Sequence, residues 1–375
     1  MQPTLPDQHR ALVLESRESG FELKTLPTPQ LDPGSAIVRI DAAGILPYHD
    51  KVIRHYPFPT PLVGGFSAIG HVAAVGPDGV SLEPGQLVYV DCVVHARDDP
   101  DALFLSAILE GFTEGSKRLM RHVWRDGSYA EYMKVPLENC IPINEHRLCK
   151  ELGYSIPELV YMAYLLVPYG GLKDIEIVPG ETVVVCPATG GYSGAAVQVA
   201  VAMGARVIAM ARNEEKLALL KEHVGRASPG AEIETALVTG DEGKDAAALR
   251  ALGTIDAVLD LTPSSAAAST HTKSAIRALR RGGRVSLMGA TENIGAGEIM
   301  PNNITLKGKM MYERADIVRF VKMLERGLFA RGKSFVDVKR FALDEWEQGL
   351  KAAADHAGIG KCTVLVPGAS GPLQP

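Results

Sequence analysis

The chain has 375 residues, 46% of them hydrophobic, and a formal net charge of -5, so it can bury more than one core and two domains are the natural expectation. There is no basic footprint for nucleic acid and no uninterrupted apolar span of membrane length, which speaks against both as partners. The N-terminal stretch lacks the apolar core of a secretory signal, and Cys92, Cys140, Cys149, Cys186 and Cys362 show no C-x-x-C pairing, so a reducing cytoplasmic setting is expected, with most thiols buried.

From Ala11 to about Pro142, short apolar runs such as SAIVRIDAAG, GHVAAVG, QLVYVDCVV and YAEYMKV alternate with Gly, Pro and Asp, the pattern of an all-β half. One helical interruption is expected there, with Asp99 as N-cap, Pro100 at the first helical position and ALFLSAIL running to Gly111. After Glu151 the rhythm changes. ETVVVCP, RVIAMA, EIETALVT, IDAVLDLT and GRVSLMGA read as strands separated by helices, which predicts an α/β doubly wound parallel sheet. Beyond Tyr312, the amphipathic ADIVRFVKMLERG, then FVDVKRFALDEWEQGLKAAADHA and KCTVLVP have no place in that sheet and are expected to return to the β half. The expected division is therefore 1–150, 151–312 and a returning segment 313–375.

Residues 182–216 carry the clearest functional signal. Thr182 to Cys186 is β-branched and apolar on both faces, as a covered parallel strand should be. It breaks at Pro187 into a turn, Ala188, Thr189, Gly190, Gly191, Tyr192, Ser193 and Gly194, with the spacing A-x-x-G-x-x-G. Missing side chains there let the backbone turn sharply and let a pyrophosphate approach a helix N-terminus, whose unpaired N–H groups favour anions. A helix from about Tyr192 to Met203 and a second strand, Arg206 to Ala211, complete the βαβ unit of a dinucleotide site. An NAD(H) site usually ends that second strand in Asp or Glu; this chain has Ala211, Arg212 and Asn213. Arg212 offers a planar set of donors for a 2′-phosphate and Lys216 lies one turn on, so NADP(H) is preferred over NAD(H). The alternatives are that Arg212 stacks on the adenine or stays solvated and that Lys216 pairs with a nearby Glu. By the same strand-end logic, Leu261 and Thr262, and Gly289 and Ala290, should line the nicotinamide side.

Taken in order, AAGILPYHDKVI, PLVGGFSAIGHVAAVG with LEPGQLVYV, ATGGYSGAAVQVAVAMGARVIA, GGRVSLMGA, ITLKGKM and HAGIGKCTVLVP resemble the medium-chain dehydrogenase/reductase superfamily over nearly the whole chain. The resemblance implies a GroES-like β domain joined to a Rossmann domain, and a hydride-transfer enzyme with its active site in the cleft between them. It also exposes departures. Leu46 stands where family alcohol dehydrogenases carry a Cys ligand, and Gly65, Phe66 and Ser67 replace their G-H-E, so no zinc is expected at that site. The lobe from Asp91 to Tyr129 holds only Cys92 of a four-cysteine structural site, and an alternative cluster of Asp91, Cys92 and His95 is weaker than a turn or surface role for those residues.

The zinc-free branch resembles quinone and enoyl reductases, in which hydrogen-bond donors do the activating. That places Tyr48, at the position of a relay hydroxyl, and Tyr56, one residue off a proton-donating tyrosine, as catalytic candidates beside His49 and His55. Lys361 matches a basic or polar position near the family's cofactor, and Phe66 with ALFLSAIL would narrow an apolar substrate cleft. The resulting expectation is an NADPH-dependent, zinc-independent reductase of an activated C=C or C=O in a small apolar molecule. Its rivals are an alcohol dehydrogenase using Tyr48 and His49 as a relay, and a cofactor-binding protein without turnover. A homodimer through an ITLKGKM edge strand is also expected.

Overall fold

A computed structural model describes residues 5–369. The chain forms two compact units, one from Met1–Ala163, Asp337–Ala357 and Cys362–Pro375, the other from Tyr164–Val336 with Gly358–Lys361. Among the described residues no helix is long and apolar enough to cross a membrane.

The first unit is the expected β half. Its central strand, Ser35–Gly44, pairs antiparallel with Ala68–Val75 and with Tyr132–Pro136, and its far end pairs with Lys361–Val366, Val364 facing Gly44. Register slips after Ile37 and Ile40 bend the strand as bulges do. Alternate residues Val38 and Ile40, Val88 and Val90 enter a common core with Leu12 and Val72, the two-residue period of a half-covered sheet.

Residues 100–111 do not form the expected helix. Leu103–Leu105 is a strand paired with Val93–His95, Val93 facing Leu105. Asp99 accepts the Asp101 amide at 3.0 Å in a local Asx turn instead of capping a helix. Pairing buries Phe104 fully, a non-local gain that overrides the local propensity of the run. The helix of this lobe comes later, at Glu114–His122, where Thr113 and Ser116 cap each other at 3.1 and 3.2 Å.

The second unit holds six parallel strands: β1 (Thr182–Cys186), β2 (Arg206–Ala211), β3 (Ile233–Leu237), β4 (Ala257–Asp260), β5 (Arg284–Leu287) and β6 (Thr305–Gly308). Their spatial order is β3-β2-β1-β4-β5-β6, that of a doubly wound dinucleotide-binding sheet, in which the order reverses between β1 and β4. The helices that concern the site are α1 (Gly191–Ala202), α2 (Glu214–Ala227), α3 (Glu242–Ala251) and α4 (His271–Ala278). Val183, Val184, Val185 and Cys186 of β1 are wholly buried, which explains the absence of any polar alternation in that run.

The return to the first unit begins at Asp337, not at residue 313, and the opening segment runs to Ala163, not 150. The helix Arg314–Glu325 belongs to the second unit because Phe320 is buried there, between Tyr169 at 5.5 Å and Phe329 at 5.2 Å. Replacing Phe320 by Ala is expected to destabilise that unit by about 3–5 kcal/mol, seen as a lower urea midpoint with the m-value retained.

Candidate active site

In the second unit, β1 runs into the glycine turn and α1. The Ser193 hydroxyl accepts the Gly190 amide at 2.9 Å and so closes the turn onto the first residues of the helix. Ala188 is buried and donates its amide to Met210 of β2 at 2.9 Å, while Thr189 and Tyr192 remain partly exposed. Tyr192 stacks on Tyr164 at 4.8 Å between centroids. A side chain at Gly194 would meet Ile359 Cγ1 at 2.9 Å and its Cα at 3.1 Å, so this glycine is needed for the packing of the 358–361 segment on α1. Lys361, at the end of that segment, is exposed.

At the end of β2, Arg212 is exposed and borders an open pocket of about 410 Å³ with Thr239, Ser265, Ser269 and Thr270. It makes no ion pair among the described residues. Asn213 caps α2 by accepting the Lys216 amide at 2.8 Å, so its side chain is already engaged; Lys216 itself is exposed. Of the residues expected at the other strand ends, Leu261 donates its amide to Cys186 of β1 at 2.9 Å, and Ala290 donates to the Thr262 carbonyl at 2.8 Å. The ends of β1, β4 and β5 are thus tied backbone to backbone. Gly289 permits this: a Cβ there would lie 2.2 Å from the Thr262 nitrogen.

Thr262 follows the end of β4, and its side chain turns inward. Its hydroxyl donates to Asp260, which also accepts Thr272 at 2.7 Å, and it contacts His271 Nε2 at 2.7 Å. Because that hydroxyl proton is committed to the carboxylate, Nε2–H is the donor to Thr262 and Nδ1 accepts Ser269 at 2.7 Å. Burial lowers the affinity of His271 for a second proton, opposed by Asp260 and reinforced by the Arg212 charge. Burial also pushes the Cys186 thiol well up, with Asp260 adding to the shift. Sequence patterns missed this network because its members are spread over three elements.

In the first unit, the short helix His49–His55 flanks an apolar pocket walled by Leu46, Val52, Phe58, Phe66 and Ile108, with only about 30 Å³ free. His49 lines it, its Nδ1 3.3 Å from the Leu46 carbonyl and its Nε2 3.4 Å from Asp50. Tyr48, at the helix N-cap, and Tyr56, at its C-cap, stand outside the lining; Tyr48 is 38% exposed. His55 is exposed. Tyr129, overlooked in the sequence, does line the pocket and donates its hydroxyl to the Gly44 carbonyl at 3.1 Å, burial holding its phenol protonated. The positions read as lost zinc ligands are carbon here: Leu46 and Phe66 are buried, and the Ser67 hydroxyl is occupied by Tyr89 at 3.1 Å. His49 is the one lining residue with a nitrogen, sulfur or carboxylate ligand. Asp91 and Cys92 are buried and His95 is exposed, and they do not converge as a ligand group.

A family model for the GroES-like domain of alcohol dehydrogenases matches residues 32–145, and one for zinc-binding dehydrogenases matches residues 193–326. The chain belongs to the zinc-type alcohol dehydrogenase superfamily, the medium-chain dehydrogenases/reductases. It is therefore an oxidoreductase of that superfamily, for which a pyridine nucleotide is the expected cofactor. Similar proteins include acryloyl-coenzyme A reductase of Metallosphaera sedula, 27% identical over 60% of this chain and 65% of that one. An alcohol dehydrogenase of Geobacillus stearothermophilus is 26% identical over 88% and 92%. A Sinorhizobium meliloti structure described as a zinc-binding dehydrogenase bound to NADP shares the fold, with a TM-score of 0.72, 19% identity and coverage of 96% and 100%.

Within this superfamily fold, the tightest constraint on the strand-end crevice is Gly289. Replacing it by Ala forces a β-carbon onto backbone atoms, and the variant is expected to lose about 1–3 kcal/mol, measured as a lower thermal midpoint together with weaker dinucleotide binding by fluorescence titration.

Proposed function

We propose that the chain is an NADPH-dependent reductase that adds hydride to an activated C=C or C=O bond of a small apolar molecule, with no metal in the substrate pocket. The observation that carries this is the pocket wall, where Leu46 and Phe66 present carbon and His49 alone offers a ligand atom. One imidazole does not hold zinc, which takes three protein ligands even in open catalytic sites. A bound reduced dinucleotide supplies the hydride. The protein's part is then to orient the acceptor against apolar walls and to neutralise the charge that develops on its oxygen. His49 is the titratable ring placed to hold and donate that proton, with Tyr48 and Tyr56 at the two ends of its helix as hydroxyl alternatives.

The cofactor preference rests on Arg212, which has no ion pair among the described residues and borders a pocket rich in hydroxyl groups, with Lys216 one helical turn on. No carboxylate stands at 211–213 to take a ribose hydroxyl pair. Likeness to acryloyl-coenzyme A reductase favours a conjugated alkene, and likeness to alcohol dehydrogenase keeps a carbonyl–alcohol couple as the second reading.

Arg212→Ala should raise the KM for NADPH about 10- to 100-fold, the loss of one or two charged hydrogen bonds, and leave that for NADH nearly unchanged; equal effects on both cofactors would refute the phosphate role. Steady-state assays with NADPH against enoyl thioesters, enones, alkenals, quinones, aldehydes and ketones test the reaction. Turnover of conjugated acceptors is expected, with kcat lowered about 10²–10⁴-fold by His49→Ala and the Tyr48→Phe and Tyr56→Phe variants reporting the hydroxyls. Activity confined to alcohol oxidation, or tight NADPH binding with no acceptor turned over, would reject it.

A further inference from the structure

Directly under the glycine turn, three chemically different donors meet. Cys186 ends β1, Asp260 ends β4 and His271 opens α4; their sulfur, oxygen and nitrogen atoms lie within 4.8 Å of one another, and all three residues are buried. Among the described residues no other group of this kind occurs. We propose that this trio binds a zinc ion which staples the carboxyl ends of β1 and β4 to the start of α4.

The carboxylate gives the first reason. Asp260 Oδ1 takes the hydroxyls of Thr262 and Thr272, whereas Oδ2 is buried with no hydrogen-bond partner, and no Lys or Arg pairs with it among the described residues. A buried carboxylate with a bare oxygen is costly unless it is paired, neutralised by a proton or bound to a metal. Gly289 packs against the same oxygen, since a β-carbon there would come within 2.7 Å of Oδ2.

The donor set gives the second. Magnesium and calcium select oxygen ligands, and a mixture of thiolate, imidazole and carboxylate selects zinc in a tetrahedral site. Thiolate and carboxylate together balance the two positive charges, so the occupied site is neutral, as burial requires. The proton changes are simple. Cys186 gives up its thiol proton to solvent, and the His271 proton passes from Nε2 to Nδ1, where Ser269 stands at 2.7 Å to accept it. A hydrogen bond of that kind on the far nitrogen is the usual second support of a metal-bound histidine. Water or the Thr262 hydroxyl completes the coordination. Such an ion would be held by residues of the second unit, whereas Leu46 and Phe66 belong to the first, so the expectation of a chain without zinc would fail while the reading of those two positions as metal-free would stand.

Elemental analysis of the purified full-length protein, gel-filtered after incubation with zinc, tests this directly. Close to one zinc per chain is expected, retained in His49→Ala and falling below about a tenth in Asp260→Asn and Cys186→Ser. Cobalt-loaded wild-type protein should show a sulfur-to-cobalt charge-transfer band that Asp260→Asn weakens, a readout that stands even where Cys186→Ser does not fold. Removing zinc with a chelator should lower the thermal midpoint of the wild type and not that of folded Asp260→Asn. Metal content near zero in the wild type, or equal in the wild type and both variants, would overturn the assignment; so would cobalt binding without the sulfur band. None of these readouts depends on turnover or on which acceptor is reduced.

Discussion

Everything in the dinucleotide-binding unit depends on how closely the ends of three parallel strands approach one another. The Leu261 amide reaches Cys186 and the Ala290 amide reaches Thr262, and Gly289 is the residue that lets β5 come that near, because any β-carbon would overlap the Thr262 nitrogen. Parallel strands leave their last carbonyls and the following amides pointing into the switch point between β1 and β4. Tying those ends by backbone bonds turns three flexible loops into one rim. The glycine turn then sits on a fixed base, and Ser193 closes the N-terminus of α1 onto Gly190.

The two units solve opposite electrostatic problems. The pocket of the first unit is nearly all carbon, and its two polar members are engaged, His49 with the Leu46 carbonyl and Asp50, Tyr129 with the Gly44 carbonyl. An apolar wall strengthens any single charge or proton donor that faces it, because no solvent dipoles compete. The second unit instead gathers carboxylate, imidazole, thiol and four hydroxyls below its crevice. Such a network is stable only when nearly every group is satisfied, and it fixes the loop that carries Thr262 more rigidly than packing alone.

How much of this was legible in the sequence depended on whether the determining contacts were local. Thr182–Cys186 and Arg206–Ala211 form the strands read from their apolar runs, since strands covered on both faces need no partner-specific pattern. Residues 100–111 misled because Asp99 and Pro100 imitate a helix start while the pairing with Val93–His95 decides the outcome. The unit boundary slipped from 313 to 337 for a related reason: amphipathicity shows that the helix Arg314–Glu325 has a buried face, but only the rings of Tyr169 and Phe329 show where that face goes. Tyr129 left no signal, standing in an ordinary strand-entry segment eighty-five positions from the carbonyl it binds. The strand end before Thr262 was legible, yet the direction of its side chain follows from Asp260 and Thr272, which no periodicity relates.

The roles of the glycines also differ from what their spacing suggests. A-x-x-G-x-x-G invites a single explanation, approach of a pyrophosphate, but Gly194 is surrounded by Ile359 and not by open crevice. Its small size therefore serves the packing of the 358–361 segment on α1, with Gly358 and Gly360 in left-handed conformations that aim Ile359 at the gap. Gly190, by contrast, has only Ser193 near its missing side chain, and Gly191 faces Tyr164 at an ordinary contact distance of 3.4 Å. The room beside the turn thus lies at Gly190, whose own amide is already donated to Ser193. The two ends of one motif have different surroundings, so a substitution at Gly194 would act through α1 and the 358–361 segment, whereas a side chain at Gly190 would meet only Ser193.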